Sequence, residues 1–157
     1  KHQRGEKALA IADNNGNFLA PVIVKPVNKH DNTLFLDSVY NLLEMADALQ
    51  LSIEHSYITF DSAFDSELNR ATLRYHRFYP MIKPNPRNTK DPVKLEKMFE
   101  GFDEEIYKER FTVERCFAWQ HVYRKLVIRY EKLQVTYLGF RHLAYSMINF
   151  RSVFAPF

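Results

Sequence analysis

The sequence predicts a single α/β domain, and three observations carry that prediction. A chain of 157 residues with 46% hydrophobic and 26% charged residues is long enough for one sizeable core. Its first half alternates short apolar runs with segments that are apolar at helical spacing, in the order strand, strand, helix, strand, helix, strand. An Asn15-Gly16 step joins the first two runs, and Asn-Gly favours the positive-φ turn of a hairpin. There is no internal repeat or low-complexity tract, so residues 1–157 read as one unit.

Each element follows from local chemistry. Residues 7–12 and 18–24 form the hairpin strands around Asp13-Asn14-Asn15-Gly16-Asn17. Pro21 cannot donate a ladder hydrogen bond and belongs at an edge or a bulge. Leu34, Phe35, Val39, Leu42, Leu43, Ala46 and Leu49 recur at helical spacing behind a cap near Asp31 or Asn32. A short buried strand is expected over 57–60, a helix over 66–76 and a strand over 78–82, ending at Lys83-Pro84-Asn85-Pro86. Prolines, asparagines and mixed charges make 84–102 a long surface loop with one helical turn at 93–99. Asp103-Glu104-Glu105 opens a helix over 103–119, its acidic first turn favoured by the macrodipole. The segment 130–154 is apolar on more than one face and reads as a packed closing helix.

Composition narrows the class. The formal charge of +3 is too small to establish nucleic-acid binding by its sum, so the arrangement of charge matters more. The single cysteine, Cys116, excludes an internal disulfide and a cysteine-rich zinc site, and a small core residue is its favoured reading. No apolar run approaches the roughly 18 residues that span a bilayer, and nothing at the start reads as a signal peptide. The expectation is a soluble, cytoplasmic protein without a membrane partner. The chain opens on Lys1-His2-Gln3-Arg4 without methionine, which reads as a fragment of something longer.

Two acidic residues stand out. Asp61 closes the run Tyr57-Ile58-Thr59-Phe60, and in open α/β sheets ligands bind at the carboxyl ends of strands. Glu114 sits in a basic and aromatic stretch on the late helix. Carboxylates from two such elements can converge on divalent ions. Each also has a plainer role: Asp61 as a turn residue, with Asp65 and Ser66 the better caps for the next helix, and Glu114 as the i,i+4 partner of Arg110. Arg110, Arg115, Arg124, Lys125 and Arg129 run through a region holding Phe117, Trp119, Tyr123 and Tyr130. A second group, Arg70, Arg74, Arg77, Lys83 and Arg87, lies around the second half of the sheet. Basic groups neutralise phosphates and aromatics can stack on unpaired bases, although core packing is the commoner fate of each aromatic.

Thr59-Phe60-Asp61-Ser62-Ala63-Phe64-Asp65-Ser66 resembles the motif around the second catalytic aspartate of DDE transposases from bacterial insertion sequences. Tyr107, Arg110 and Glu114 reproduce that family's Tyr-x-x-Arg-x-x-x-Glu signature, and Val113-Glu114-Arg115-Cys116-Phe117 is similar to its Val-Glu-Arg-x-Phe core. The likeness extends to the Gly16 hairpin, the step from Asn28 to Asp31 into a helix, and Arg129-Tyr130-Glu131. Two positions depart from the pattern: Ala63 replaces the usual glycine, and His121 stands where a basic residue is usual.

The resemblance implies a ribonuclease H-like fold, a mixed sheet with flanking helices, here lacking its first strand. It implies metal-dependent phosphodiester cleavage and strand transfer on DNA, both transposon ends and target, by a homo-oligomer in the active complex. Asp61 and Glu114 would be the second and third of three carboxylates holding two Mg2+ ions, with Mn2+ able to substitute. The first carboxylate is expected on a strand upstream of the hairpin, and Asp13, a turn residue, does not replace it. Tyr107, Arg110, Arg115, His121, Arg124, Lys125 and Arg129 would contact DNA. Two alternatives stay open: a non-catalytic DNA-binding or assembly remnant of a transposase, and another nuclease of the same fold such as a junction resolvase, against which the Tyr-x-x-Arg-x-x-x-Glu spacing argues.

Overall fold

A hairpin opens the structure, a computed structural model that describes residues 6–30, 32–128 and 130–154. Strand β1 (Glu6–Leu9) pairs antiparallel with β2 (Ile23–Pro26), and a further bridge joins Ala12 to Phe18. From Leu9 to Ala12 one strand advances three residues while its partner advances five, from Phe18 to Ile23, so the excess forms a bulge that contains Pro21. The bulge accommodates a residue that has no N–H to give, as the sequence suggests. At the tip, Asp13 Oδ1 accepts from the backbone N–H of Asn15 and Asn17 at 2.9 and 2.8 Å, and Oδ2 accepts from Asn17 Nδ2 at 2.9 Å. Gly16 has φ +87°, and a Cβ there would lie 2.9 Å from the Trp119 ring. Both the backbone angle and the close approach demand glycine.

Helix α1 (Asn32–Ala48) buries Leu34, Phe35, Ser38, Val39, Leu42 and Ala46. The expected cap Asp31 lies outside the described residues. The helix ends with Gln50 at φ +53° and Leu51 N–H bonded back to Ala46 O at 2.8 Å, a Schellman-type stop. Strand β3 (Tyr57–Phe60) and β4 (Tyr79–Ile82) are parallel, linked by α2 (Glu67–Tyr75), which is capped by Ser66 Oγ accepting from Asn69 N–H. Tyr79 N–H donates to Ser56 O, so Ser56 and Ile58 face β4. Pro80, opposite Ile58, then turns its nitrogen to the outer edge.

The expected loop over 84–102 contains α3 (Pro92–Met98), started by Pro92 in the first turn and by Asp91, whose Oδ1 accepts from Val93 N–H. The single helix expected over 103–119 is two: α4 (Glu104–Lys108), capped by Asp103, and α5 (Phe111–Gln120). Between them Glu109 and Arg110 keep right-handed helical angles, but the bonds close at i+3, from Arg110 N–H to Tyr107 O and from Thr112 N–H to Glu109 O. The chain is tightened there rather than broken. Short α6 (Arg124–Val127) has no counterpart in the sequence reading, and the closing helix α7 (Gln134–Phe154) starts four residues after the expected 130.

Two packed regions hold these elements together. Phe35, Val39 and Leu42 of α1 meet Ile58, Phe60, Leu73, Phe78 and Ile82, with Leu9, Ile11 and Leu19 of the hairpin packed against them. On the other side, Phe18 stacks on Tyr145 of α7 with ring centroids 3.7 Å apart, and Cys116 Sγ donates to Gly16 O at 3.3 Å. Asn149 completes the dock, its Nδ2 donating to Phe18 O and its Oδ1 accepting from Phe18 N–H. Cys116 is therefore the core residue that the sequence favours.

The strands do not form one mixed sheet. Among the described residues they form two separate two-stranded sheets, β1–β2 and β3–β4. A cavity of about 870 Å3 lies between them, lined by 9–14 and Leu19 on the hairpin side and by 56–61 on the other. No described helix is long and apolar enough to cross a membrane.

Candidate active site

Asp61 stands at the exit of β3, exposed, where the chain leaves the strand for a 3-10 turn at Ser62–Phe64. Its Oδ1 accepts from Ser62 N–H at 2.6 Å and from Ser62 Oγ at 3.2 Å. Asp61 thus does the turn work that its position allows, while no described hydrogen bond engages Oδ2. Phe64 holds the turn from beneath by packing on Phe35 and Phe60.

Asp65, four residues on, does different work. Its side chain is only 4% exposed and accepts from Arg70 Nε and Nη2 at 3.0 and 2.7 Å and from Asn85 N–H at 2.8 Å. Arg70 Nη2 also donates to Ile82 O at 2.7 Å. This clamp ties the exit of β3 to the exit of β4 and so fixes the base of the loop that carries Asp61. Ser66, not Asp65, caps α2.

The late helices bring Tyr107, Arg110 and Glu114 to the same end. Tyr107 is buried, and burial holds its hydroxyl above the usual tyrosine range. The Arg110 charge opposes that rise, and the charges of both Asp61 and Glu114 add to it. One hydroxyl therefore lies within electrostatic reach of both carboxylates, which belong to elements 53 residues apart in sequence, from 61 to 114. The Arg110 guanidinium lies 5.3 Å from the Tyr107 ring centroid, 5.4 Å from that of Phe111, and 3.5 Å from Glu114 Oε1. The i,i+4 pair is real, and it stands beside Tyr107.

The other expected DNA contacts are dispersed along the surface. Arg115 is exposed and donates to Thr112 Oγ1 at 3.1 Å. His121 is exposed at the end of α5 and is not a buried histidine satisfied by the core. Arg124 and Lys125 are exposed on α6, with Lys125 Nζ 4.6 Å from the Phe140 ring centroid, and Arg129 lies outside the described residues. In the second basic group, Arg70 belongs to the buried clamp, Arg74 pairs with Glu67 and Arg77 with Glu54.

Sequence reasoning missed Glu105 and Glu109, which line the cavity beside Asp61 and Arg110. Their spacing of four on one helix face was available as a signal. Glu105 is held by Lys108 at 2.6 Å. Asp13 also lines the cavity, with both oxygens committed to the turn. Among the described residues no group of three or more His, Cys, Asp or Glu side chains is close enough to hold a metal ion.

A parallel strand pair ending in an acidic turn, facing a helix that carries Tyr107, Arg110 and Glu114, is the geometry of a carboxylate-based site on an α/β framework. The family described as "Transposase DDE domain" matches residues 1–147, and the chain belongs to that family. A curated relative, the "Putative transposase for insertion sequence element IS6501" of Brucella ovis (strain ATCC 25840 / 63/290 / NCTC 10512), is 31% identical over 96 residues, covering 60% of this chain and 68% of the relative. No solved structure matches. The chain is a DDE transposase of the insertion-sequence type, and such proteins bind DNA and generally use divalent metal ions.

Proposed function

We propose that this chain is the catalytic domain of the transposase, of ribonuclease H-like fold, performing metal-dependent cleavage and strand transfer with Asp61 and Glu114 as carboxylate ligands. The observation that carries the proposal is the shared influence of Asp61 and Glu114 on the Tyr107 hydroxyl, which draws together two elements distant in sequence. The donor set fits a hard divalent ion. Mg2+ is commonly held by one or two carboxylates, with waters and substrate phosphates completing its shell, and Mn2+ accepts the same ligands. Asp61 Oδ2 and the Glu114 carboxylate are the atoms that would hold it. When bound, such ions activate an attacking oxygen and stabilise the leaving one.

The chain's own residues supply the remaining functions. Arg110, between Glu114 and the Tyr107 ring, is set to receive a phosphate oxygen, and its aromatic neighbours restrict where the guanidinium can go. Tyr107, held protonated, is a neutral hydroxyl donor at physiological pH. Arg115, His121, Arg124 and Lys125 extend positive groups along α5 and α6 for the DNA backbone. Transposon ends and target DNA are the substrates, and a homo-oligomer is the active assembly.

The reading as a non-catalytic remnant has an observation of its own: Asp61 caps a turn and Glu114 pairs with Arg110, each a structural task. Incubation of the chain with supercoiled plasmid in Mg2+ or Mn2+ separates the two readings. The catalytic proposal expects nicking that requires the ion and disappears in Asp61→Asn and Glu114→Gln. DNA binding without any ion-dependent nicking favours the remnant.

A further inference from the structure

The side chains of a β-strand alternate between its two faces, so a space that consecutive strand residues all line can only lie along the strand's edge. Ser56, Tyr57, Ile58, Thr59, Phe60 and Asp61 all line the cavity between the sheets, and 9–14 line it from the other side. The cavity is therefore bounded by two backbone edges.

Those edges carry unused hydrogen-bonding groups. With Ser56 and Ile58 turned to β4, Tyr57 and Thr59 direct their N–H and C=O away from it, toward the cavity. Across the gap, Ile11 O accepts from Leu19 N–H and Asp13 N–H donates to Asn17 O, so Ala12 between them turns its own backbone groups outward. Among the described residues no hydrogen bond reaches the backbone groups of Tyr57, Thr59 or Ala12 outside their ladders. Above and below, the walls are apolar: Leu42, Ile53 and Phe64 on the α1 side, Ile106, Val113 and Phe117 on the α4–α5 side.

We infer that the cleft is a receptor for one extended peptide segment of alternating apolar sequence, which inserts between the sheets and joins β1–β2 and β3–β4 into a continuous sheet. A helix would leave both edges unpaired, and a small apolar molecule would satisfy neither. An extended segment presents N–H and C=O to both sides at once and side chains to both apolar walls. The inference stands apart from the nuclease chemistry, since neither metal nor DNA enters it.

The test uses the whole chain and a fluorescent peptide of about seven residues, alternating valine and threonine between lysines, long enough to run along the edge at about 3.3 Å per residue. Fluorescence anisotropy should show saturable binding, and amide hydrogen exchange at Tyr57, Thr59 and Ala12 should slow by about tenfold or more when the peptide is present. The same peptide N-methylated at alternate amides, which cannot pair along one edge, should bind at least about tenfold more weakly, near the worth of one lost hydrogen bond. No binding, equal binding of the methylated peptide, or slow exchange of those three amides in the free chain would each overturn the inference. So would slowing of the same amides by raised protein concentration alone, which would assign the cleft to a second copy. Plasmid nicking, measured without peptide, reads the nuclease proposal independently.

Discussion

Residues in this chain do their work through neighbours that sequence alone does not supply. Cys116 shows this: its thiol is held above the usual range chiefly by burial, opposed by the Arg115 charge and aided by that of Asp13. Burial raises Tyr145 likewise, against the charge and hydrogen bond of Arg141, and it raises Tyr107. In each case the folded state holds the proton more tightly than the unfolded chain does. The associated stability is intact below the ordinary values, 9.0 for the thiol and 10.0 for the phenols, and is lost as pH climbs through the raised folded values. The urea midpoint should therefore fall between pH 7 and about pH 10.5, and Cys116→Ala should remove the earliest part of that fall. The burial behind these shifts comes from Gly16, Phe18 and α7, all remote in sequence.

At the scale of elements, the legible features were those set by short-range chemistry. The Asn15-Gly16 turn, the Pro21 bulge, the period of α1 and the Ser66 cap each depend on a few adjacent residues. The division of the late helix at Glu109 was not legible, because Glu109 and Arg110 are good helix formers and the tightening shows only in the hydrogen-bond pattern. Nor was the clamp. Asp65 offers itself as a cap for α2, and only the parallel pairing that sets Ile82 and Asn85 beside it makes it a strand tie. Because Arg70 is only 16% exposed, Asp65→Ala leaves a largely buried charge without its carboxylate and should cost about 3 kcal/mol in urea unfolding. Glu67→Ala, which breaks the exposed pair with Arg74, should cost under about 1 kcal/mol. Equal costs would show that the clamp is no more than a surface pair.

Across the whole molecule, the path from sequence to site ran through spacing. Tyr107, Arg110 and Glu114 are separated by three and four residues, so one face of the tightened α4–α5 run presents them together, and Asp61 is fixed at a strand end by the clamp. Glu105 and Glu109 were not singled out, because nothing in their local sequence says that α4 borders the cavity. The single mixed sheet was also an expectation of the motif pattern, whereas the described strands form two sheets with a cleft between their edges. The central claim, that Asp61 and Glu114 share a divalent ion, is tested most directly by electron paramagnetic resonance titration of Mn2+ into the chain. Saturable binding should weaken by about tenfold or more in Asp61→Asn and again in Glu114→Gln, since each removes a ligand. Retention of unaltered Mn2+ affinity by both variants would contradict it.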